Sequence, residues 1–277
     1  MGWSPEEHIC ELALKEYRRL KWVTRIRPAR LGEVVASVVR NSERRFIVTT
    51  DWGILLYVDP LSTLGRSIIS TGEYEPEIRQ LLNEILRPGS IFVDLGANEG
   101  VFTCYAGRRV GPTGRVIAVE PQDRLEDVMR VNVALNELKN VTIVKKALSE
   151  VPIATLWLFP SLNAGASSVV RRYRWGSERQ LAQTISFSQL LHQNSVEFVD
   201  LVKIDVEGYE YEVVDSMLAA IKGQRVGALL VDYHTSILEE RGLSSQEIDR
   251  ALVRAGMISQ PIDGALSGYV LYRQRQG

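Results

Sequence analysis

Three short stretches and one isolated acid hold the side chains best suited to do chemistry. FVDLGANEG, residues 92–100, sets Asp94 ahead of a turn made by Gly96, Ala97, Asn98, Glu99 and Gly100. LVKIDVEGYE, residues 201–210, carries Lys203, Asp205 and Glu207, and VDYH, residues 231–234, carries Asp232 and His234. Glu120 stands 20 residues after Gly100 and is followed by Pro121. Glycines let backbone approach a ligand closely, and a helix that opens after such a turn directs free N–H groups at it. An acid at Glu120 can accept hydrogen bonds from ribose hydroxyls. Glu207 or His234 can take the proton of a hydroxyl, and Asp205 can line the pocket beside them. Asp205, Glu207, Asp232 and His234 are also types that bind divalent ions, but no spacing among them demands one and no metal is expected.

These side chains need elements that bring them together. From Ile91 onward, apolar runs alternate with helical patterns. SIFVDLG, RVIAVEP, VTIVKKAL, VDLVKIDV and GALLVDYH read as buried strands. VFTCYAGRRVG, LEDVMRVNVALNEL and YEYEVVDSMLAAIKG read as helices between them. Strands alternating with helices specify right-handed crossovers and a parallel sheet. LSSQEIDRALVRAG then reads as a helix opened by a capping box of Ser244 with Glu247 and closed near Gly256. MISQPID and SGYVLYR, joined around Asp263-Gly264, lie too close for a crossover and should pair antiparallel. The expected fold is α/β, a Rossmann-like sheet of seven strands with five parallel and a C-terminal antiparallel hairpin.

In an open parallel sheet, ligands bind beyond the carboxyl ends of the strands. Here those ends hold Asp94 with its turn, Glu120-Pro121, Ala147-Leu148, Asp205 with Glu207, and Asp232 with His234. The turn reads G-x-x-x-G rather than G-x-G-x-x-G, so the dinucleotide fingerprint is incomplete. A pyrophosphate would also be repelled by Asp94. S-adenosylmethionine carries no phosphate; it presents an ammonium and a sulfonium, which an acidic strand end attracts, and a carboxylate, which helix N–H groups can take. Lys203, on the same strand side as Asp205 and Glu207, is expected to form a structural ion pair with a neighbouring acid. His8 and His192 have no comparable context and read as structural. An NAD-dependent oxidoreductase, a non-catalytic nucleoside-binding module and an RNA methyltransferase are the competing readings.

FVDLGANEGVFTCYAGRRVGPTGRVIAVEP followed by VKIDVEGYE resembles the FkbM-type family of S-adenosylmethionine-dependent methyltransferases. The resemblance runs from about Gly72 to His234, with the NAGASS loop and GEYEP, which contains Glu75, resembling further family segments. It implies a class I methyltransferase sheet and methyl transfer to hydroxyls of sugars or other small metabolites. It also implies a cofactor site built from Glu75, Asp94, Gly96, Ala97, Asn98, Gly100, Glu120, Pro121, Ala147 and Asp205. Asp232 departs from the family, which more often has glutamate before the histidine.

Composition narrows the partners. With 33 Lys and Arg against 34 Asp and Glu, the chain lacks the basic excess of a dedicated nucleic-acid binder, and no nucleic-acid partner is expected. RRYRWGSER, with Arg171, Arg172, Tyr173, Arg174 and Trp175, is read as a lid over a polar acceptor rather than an RNA contact. Two cysteines, Cys10 and Cys104, at no redox or metal spacing, point to the cytoplasm. The first 20 residues read as an ordinary helix capped by Ser4 with Glu7, with no apolar run for a signal peptide or membrane span, so no membrane partner is expected. An oligomer is compatible with the sequence. Residues 1–89 read as an N-terminal helical and β extension, and 90–277 as the cofactor-binding methyltransferase domain. Residues between Val151 and Val199 read as an irregular insertion near the open end of the sheet.

Overall fold

The computed structural model describes residues 45–151, 153–158, 178–260, 262 and 268–275. The expectations for the first helix, NAGASS, RRYRW and Asp263-Gly264 lie outside the described residues. Strands β3 (Ile91–Leu95), β4 (Arg115–Val119), β5 (Val141–Val144), β9 (Val199–Ile204), β10 (Val226–Asp232), β11 (Met257–Gln260) and β12 (Tyr269–Gln274) form one sheet in the order β11-β12-β10-β9-β3-β4-β5. The five strands β5, β4, β3, β9 and β10 are parallel, and β12 runs antiparallel to both β10 and β11. This is the seven-stranded, C-terminally reversed sheet of class I methyltransferases. The order changes direction between β3 and β9, which places the crevice at the carboxyl ends of those two strands.

The sheet is buried on both faces because its strands are apolar on both. Val93, Leu95, Ile117, Val202, Ile204, Leu229 and Val231 pack with Val213, Val214, Met217 and Ile221 of the helix Glu210–Lys222. On the other face, Phe92, Val116, Leu201 and Leu230 pack with Phe102, Ala106 and Val110 of the helix Val101–Val110 and with Ile78 and Leu82 of the helix Pro76–Ile85. The helices read in VFTCYAGRRVG and YEYEVVDSMLAAIKG are Val101–Val110 and Glu210–Lys222.

Ahead of the sheet, β1 (Phe46–Thr49) and β2 (Leu55–Val58) form an antiparallel hairpin, followed by helices α1 (Thr63–Thr71) and α2 (Pro76–Ile85). In the sequence RRFIVTTDWG and ILLYVDP suggest a small β element and EPEIRQLLNEIL a helix, which are the hairpin and α2; α1 is not anticipated, and its first turn is fixed by Ser62 Oγ accepting from Gly65 N at 2.8 Å. The remaining helices are α3 (Val101–Val110), α4 (Asp123–Leu135), α5 (Phe187–Gln193), α6 (Glu210–Lys222), α7 (Thr235–Glu240) and α8 (Ser245–Arg254).

Three expectations change. The run VTIVKKAL is not one strand: β5 stops at Val144, two lysines turn the chain, and Ala147–Leu148 forms β6 in a separate sheet of order β6-β8-β7. Where the segment between Val151 and Val199 is described it is regular: β7 (Ile153–Leu158) pairs antiparallel with β8 (Glu178–Ile185), and α5 follows, opened by a capping box of Ser186 with Gln189. At α8, Ser244 caps by accepting from Gln246 N at 3.2 Å, and the reciprocal bond from Glu247 is not formed. Among the described residues, no helix is long and apolar enough to cross a membrane.

Candidate active site

One pocket opens over the crevice and is lined by residues from all five parallel strand ends or the loops that leave them. Of the residues expected at the cofactor site, Glu75, Gly96, Asn98, Glu120, Pro121, Ala147 and Asp205 line it. Both candidate catalytic residues, Glu207 and His234, and Asp232 line it as well. Asp94, Ala97 and Gly100 stand behind its wall.

The glycine turn explains that division. A Cβ on Gly96, whose φ is 80°, would lie 1.8 Å from the carbonyl oxygen of Asp205, so only glycine lets the β3 and β9 ends close together. A Cβ on Gly100 would meet Met129 at 2.5 Å; this glycine seats α3 against α4. Asp94 is 1% exposed, and its Oδ2 accepts from Thr103 Oγ1 at 2.7 Å. Burial raises its pKa, against the pull of Lys203. Asp94 and Lys203 are register partners on β3 and β9. Asp94 therefore sits with the buried lysine, in the layer beneath the ligand surface. Lys203, 2% exposed, pairs with Asp205 at 2.9 Å, the ion pair expected from the sequence.

At the opposite end of the pocket Glu120 is 4% exposed. Its Oε2 accepts from Asn98 N and its Oε1 from Gln122 N, each at 3.0 Å. Each oxygen keeps a further lone pair. Burial pushes the Glu120 pKa up to about 7, while the two backbone donors pull it down. Val119, Pro121, Ala147 and Leu148 supply apolar lining beside it.

The other end is an acid–imidazole cluster. Fully buried Glu210, the first residue of α6, bonds His234 Nδ1 with Oε1 at 2.9 Å and also accepts from Gly208 N at 2.8 Å. His234 Nε2 then faces Glu207 Oε2 at 3.3 Å and Asp232 Oδ2 at 4.0 Å. Burial disfavours a charged His234, but the Glu210 hydrogen bond and the charges of Glu207 and Asp205 outweigh it and drive its pKa up to about 10. Burial pushes Glu207 up to about 8, opposed by His234 and helped by Asp205, Asp232 and Glu210. Burial and then Asp205 push Asp232 up to about 6. Glu75 closes this end, with Tyr269 Oη donating to its Oε2 at 3.4 Å.

Three lining residues, Glu75, Asn98 and Glu207, have φ of 43°, 53° and 49°. Non-glycine residues held there are strained, and such strain gathers at ligand sites. Sequence reading missed Glu210 as the residue that orients His234. Its signal was present: it falls three positions after Glu207, at the start of a helix.

The sequence profile described as Methyltransferase FkbM domain matches residues 94–258, more than half of the chain. The chain belongs to the FkbM methyltransferase family. A second profile, protein-L-isoaspartate(D-aspartate) O-methyltransferase, matches residues 20–147. Among curated proteins, ribosomal RNA large subunit methyltransferase E of Wigglesworthia glossinidia brevipalpis is 29% identical over 99 residues, covering 35% of this chain and 47% of that protein. Methyltransferase sdnD of Sordaria araneosa is 28% identical over 151 residues, covering 44% of this chain and 58% of that protein. The FkbM chain thus spans about half the length of these relatives. Among solved structures, an S-adenosylmethionine-dependent methyltransferase from Aquifex aeolicus aligns at TM-score 0.42 and 18% identity, covering 72% of this chain and 89% of that one. An O-methyltransferase from Thermotoga maritima aligns at TM-score 0.44 and 14% identity, covering 83% and 78%.

The cofactor this family implies is S-adenosylmethionine, and the residues present fit it. Glu120 offers a buried carboxylate with spare lone pairs to a ribose. Asn98 lines the pocket with a buried Oδ1 that has no hydrogen-bond partner, an acceptor suited to an ammonium. The acids at the far end suit a sulfonium.

Proposed function

We propose that this chain is an S-adenosylmethionine-dependent O-methyltransferase that acts on a hydroxyl of a sugar or another small metabolite in the cytoplasm. Residues 90–277 form the methyltransferase unit. The donor lies across Gly96, Asn98, Glu120, Pro121 and Ala147, with Asp205 and Glu75 beyond it. Asp94, Ala97 and Gly100 act from behind, by shaping the turn. When bound, the donor supplies an activated methyl group; the chain must align the acceptor and accommodate its proton.

The observation that carries this reading is the pairing of Glu207 and His234 at 3.3 Å, facing the same pocket as Glu120. Glu210 fixes the ring through Nδ1, so His234 offers Nε2 to the pocket. An acceptor hydroxyl placed against Glu207 and Nε2 is oriented by both, and the proton it loses is taken by the ionised form of Glu207, whose share grows as pH rises toward about 8. Asp232, with a pKa of about 6 and so ionised at neutral pH, disfavours a phosphate-bearing acceptor such as RNA beside it.

Two measurements test the reading. Calorimetry should give binding of S-adenosylmethionine or its demethylated product and little or none of NAD; the reverse result identifies an oxidoreductase. Incubating metabolite extracts with radiolabelled S-adenosylmethionine should yield a labelled ether, stable to base. A base-labile label would indicate ester formation and overturn the hydroxyl assignment.

A further inference from the structure

We propose that Asp205, Glu207 and His234 form a divalent transition-metal site at the acceptor end of the pocket, a role that rests on the methyltransferase reading above. One ligand atom from each of the three lies within 4.8 Å of the others, and among the described residues this is the one such group. The spacing of these residues in the sequence does not require an ion; the adjacency of β9 and β10 creates the group by bringing the two strand ends together.

The separation of Glu207 and His234 suits a small ion. Neighbouring ligands at about 2.1 Å from an octahedral metal are about 3 Å apart, and Glu207 Oε2 and His234 Nε2 stand 3.3 Å apart. Lys203 takes Oδ2 of Asp205, leaving that carboxylate a second oxygen for an ion. Asp232 Oδ2, 4.0 Å from His234 Nε2, can hold a metal-bound water.

A second observation comes from outside the group. Glu210 is fully buried, touches His234 through Oε1, and has an Oε2 with no hydrogen-bond partner. A buried carboxylate on the far nitrogen of a histidine sets the ring so that its other nitrogen is presented to a metal, and raises its basicity as a ligand. An ion would also supply the positive charge that this carboxylate and its neighbours otherwise share with one imidazole and one lysine. One imidazole with two carboxylates favours manganese, iron, cobalt or zinc over magnesium or calcium. Such an ion would bind the acceptor oxygen directly and make its proton easier to lose.

Manganese is the probe. Full-length protein is stripped with EDTA, dialysed, and titrated with Mn²⁺ by electron paramagnetic resonance, with S-adenosylmethionine binding measured on the same sample. One Mn²⁺ per chain is expected, weakened at least tenfold in both Asp205→Asn and Glu207→Gln. Glu207→Gln changes a partly exposed side chain and guards against misfolding of the Asp205 variant, and an unchanged circular-dichroism spectrum and urea midpoint certify the fold of each. Donor binding without Mn²⁺ binding in the wild-type protein overturns the metal site and leaves the methyltransferase reading standing. Mn²⁺ binding that neither substitution weakens places the ion elsewhere and also overturns it. Mn²⁺ binding sensitive to both substitutions, with no donor binding, upholds the site and removes the methyltransferase reading.

Discussion

Arg45 and Glu99 form a buried two-point ion pair between the start of the β1–β2 hairpin and the glycine turn. Nη2 donates to Oε1 at 2.7 Å and Nη1 to Oε2 at 3.1 Å, with 8% and 1% of the side chains exposed. The same Nη1 reaches the Tyr57 carbonyl at 2.9 Å. Asn132 ties the two sides again, donating to the Glu99 carbonyl and accepting from Tyr57 N, each at 2.7 Å. The hairpin is thereby fastened to the loop that carries Asn98.

Breaking this pair from one side should cost about 3–5 kcal/mol, because Glu99 would keep a buried charge without its partner. Arg45→Met is the variant, and urea denaturation is the measurement. Arg45→Met combined with Glu99→Leu should recover most of the loss, since an apolar pair leaves no charge to desolvate. Equal denaturation midpoints for wild type and Arg45→Met would show that the clamp contributes nothing.

Glu120 gives a prediction in pH. Burial holds its pKa near 7, and its role is to accept hydrogen bonds from ribose, which favours the ionised form. Below pH 7 donor binding must expel a proton; above it the carboxylate is already charged. Affinity should therefore rise as pH rises through about 7, and calorimetry at pH 6.5 in two buffers of different ionisation enthalpy should detect proton release. Glu120→Ala should weaken binding roughly tenfold or more, since a charge-assisted hydrogen bond is worth about 1.5–3 kcal/mol, and should flatten this pH dependence. A folded Glu120→Ala protein with unchanged affinity would take Glu120 out of the donor site.

The sheet and the strand-end acids were legible because each depends on local pattern. Apolar runs between turns mark buried strands, and Glu120, Asp205, Glu207 and His234 follow from where those runs end. What escaped depends on neighbours across the fold. Asp94 faces Lys203 across β3 and β9, and no spacing along the chain reveals that register. Ala147–Leu148 leaves the main sheet because it finds Thr184 and Ile185 as partners, 37 residues on. Glu210 was read as part of a motif, but its contact with His234 requires the β9 and β10 ends to be adjacent.

Acceptor charge is a third expectation. Glu75, Asp205, Glu207 and Asp232 share one end of the pocket, so in EDTA-stripped protein a phosphorylated version of any confirmed acceptor should be methylated far less efficiently than the neutral form. The ratio of kcat/KM should exceed about tenfold, the factor that roughly 1.4 kcal/mol of repulsion produces. Equal efficiency would place the acceptor away from these acids. The penalty should shrink as salt rises, because screening acts on charges near the pocket mouth.

The last expectation separates chemistry from orientation within the cluster. Glu207→Gln and His234→Ala each remove a group that meets the acceptor, so each should keep donor binding and lose about 10²–10⁴-fold in turnover. Together they should cost less than the sum of the singles, because both act on one hydroxyl. Glu210 reaches the acceptor only through the ring. Glu210→Gln keeps an oxygen for Gly208 N but weakens the hold on Nδ1, so the imidazole turns more freely and loses positive charge. In that variant kcat should fall by about tenfold with the acceptor KM nearly unchanged. The His234 ring signal in nuclear magnetic resonance should also titrate at lower pH than in wild type, a change that packing alone would not produce. An unaltered His234 titration in folded Glu210→Gln would mean the buried carboxylate does not govern the ring. Normal turnover in both Glu207→Gln and His234→Ala would leave alignment of donor and acceptor as the whole of the catalysis.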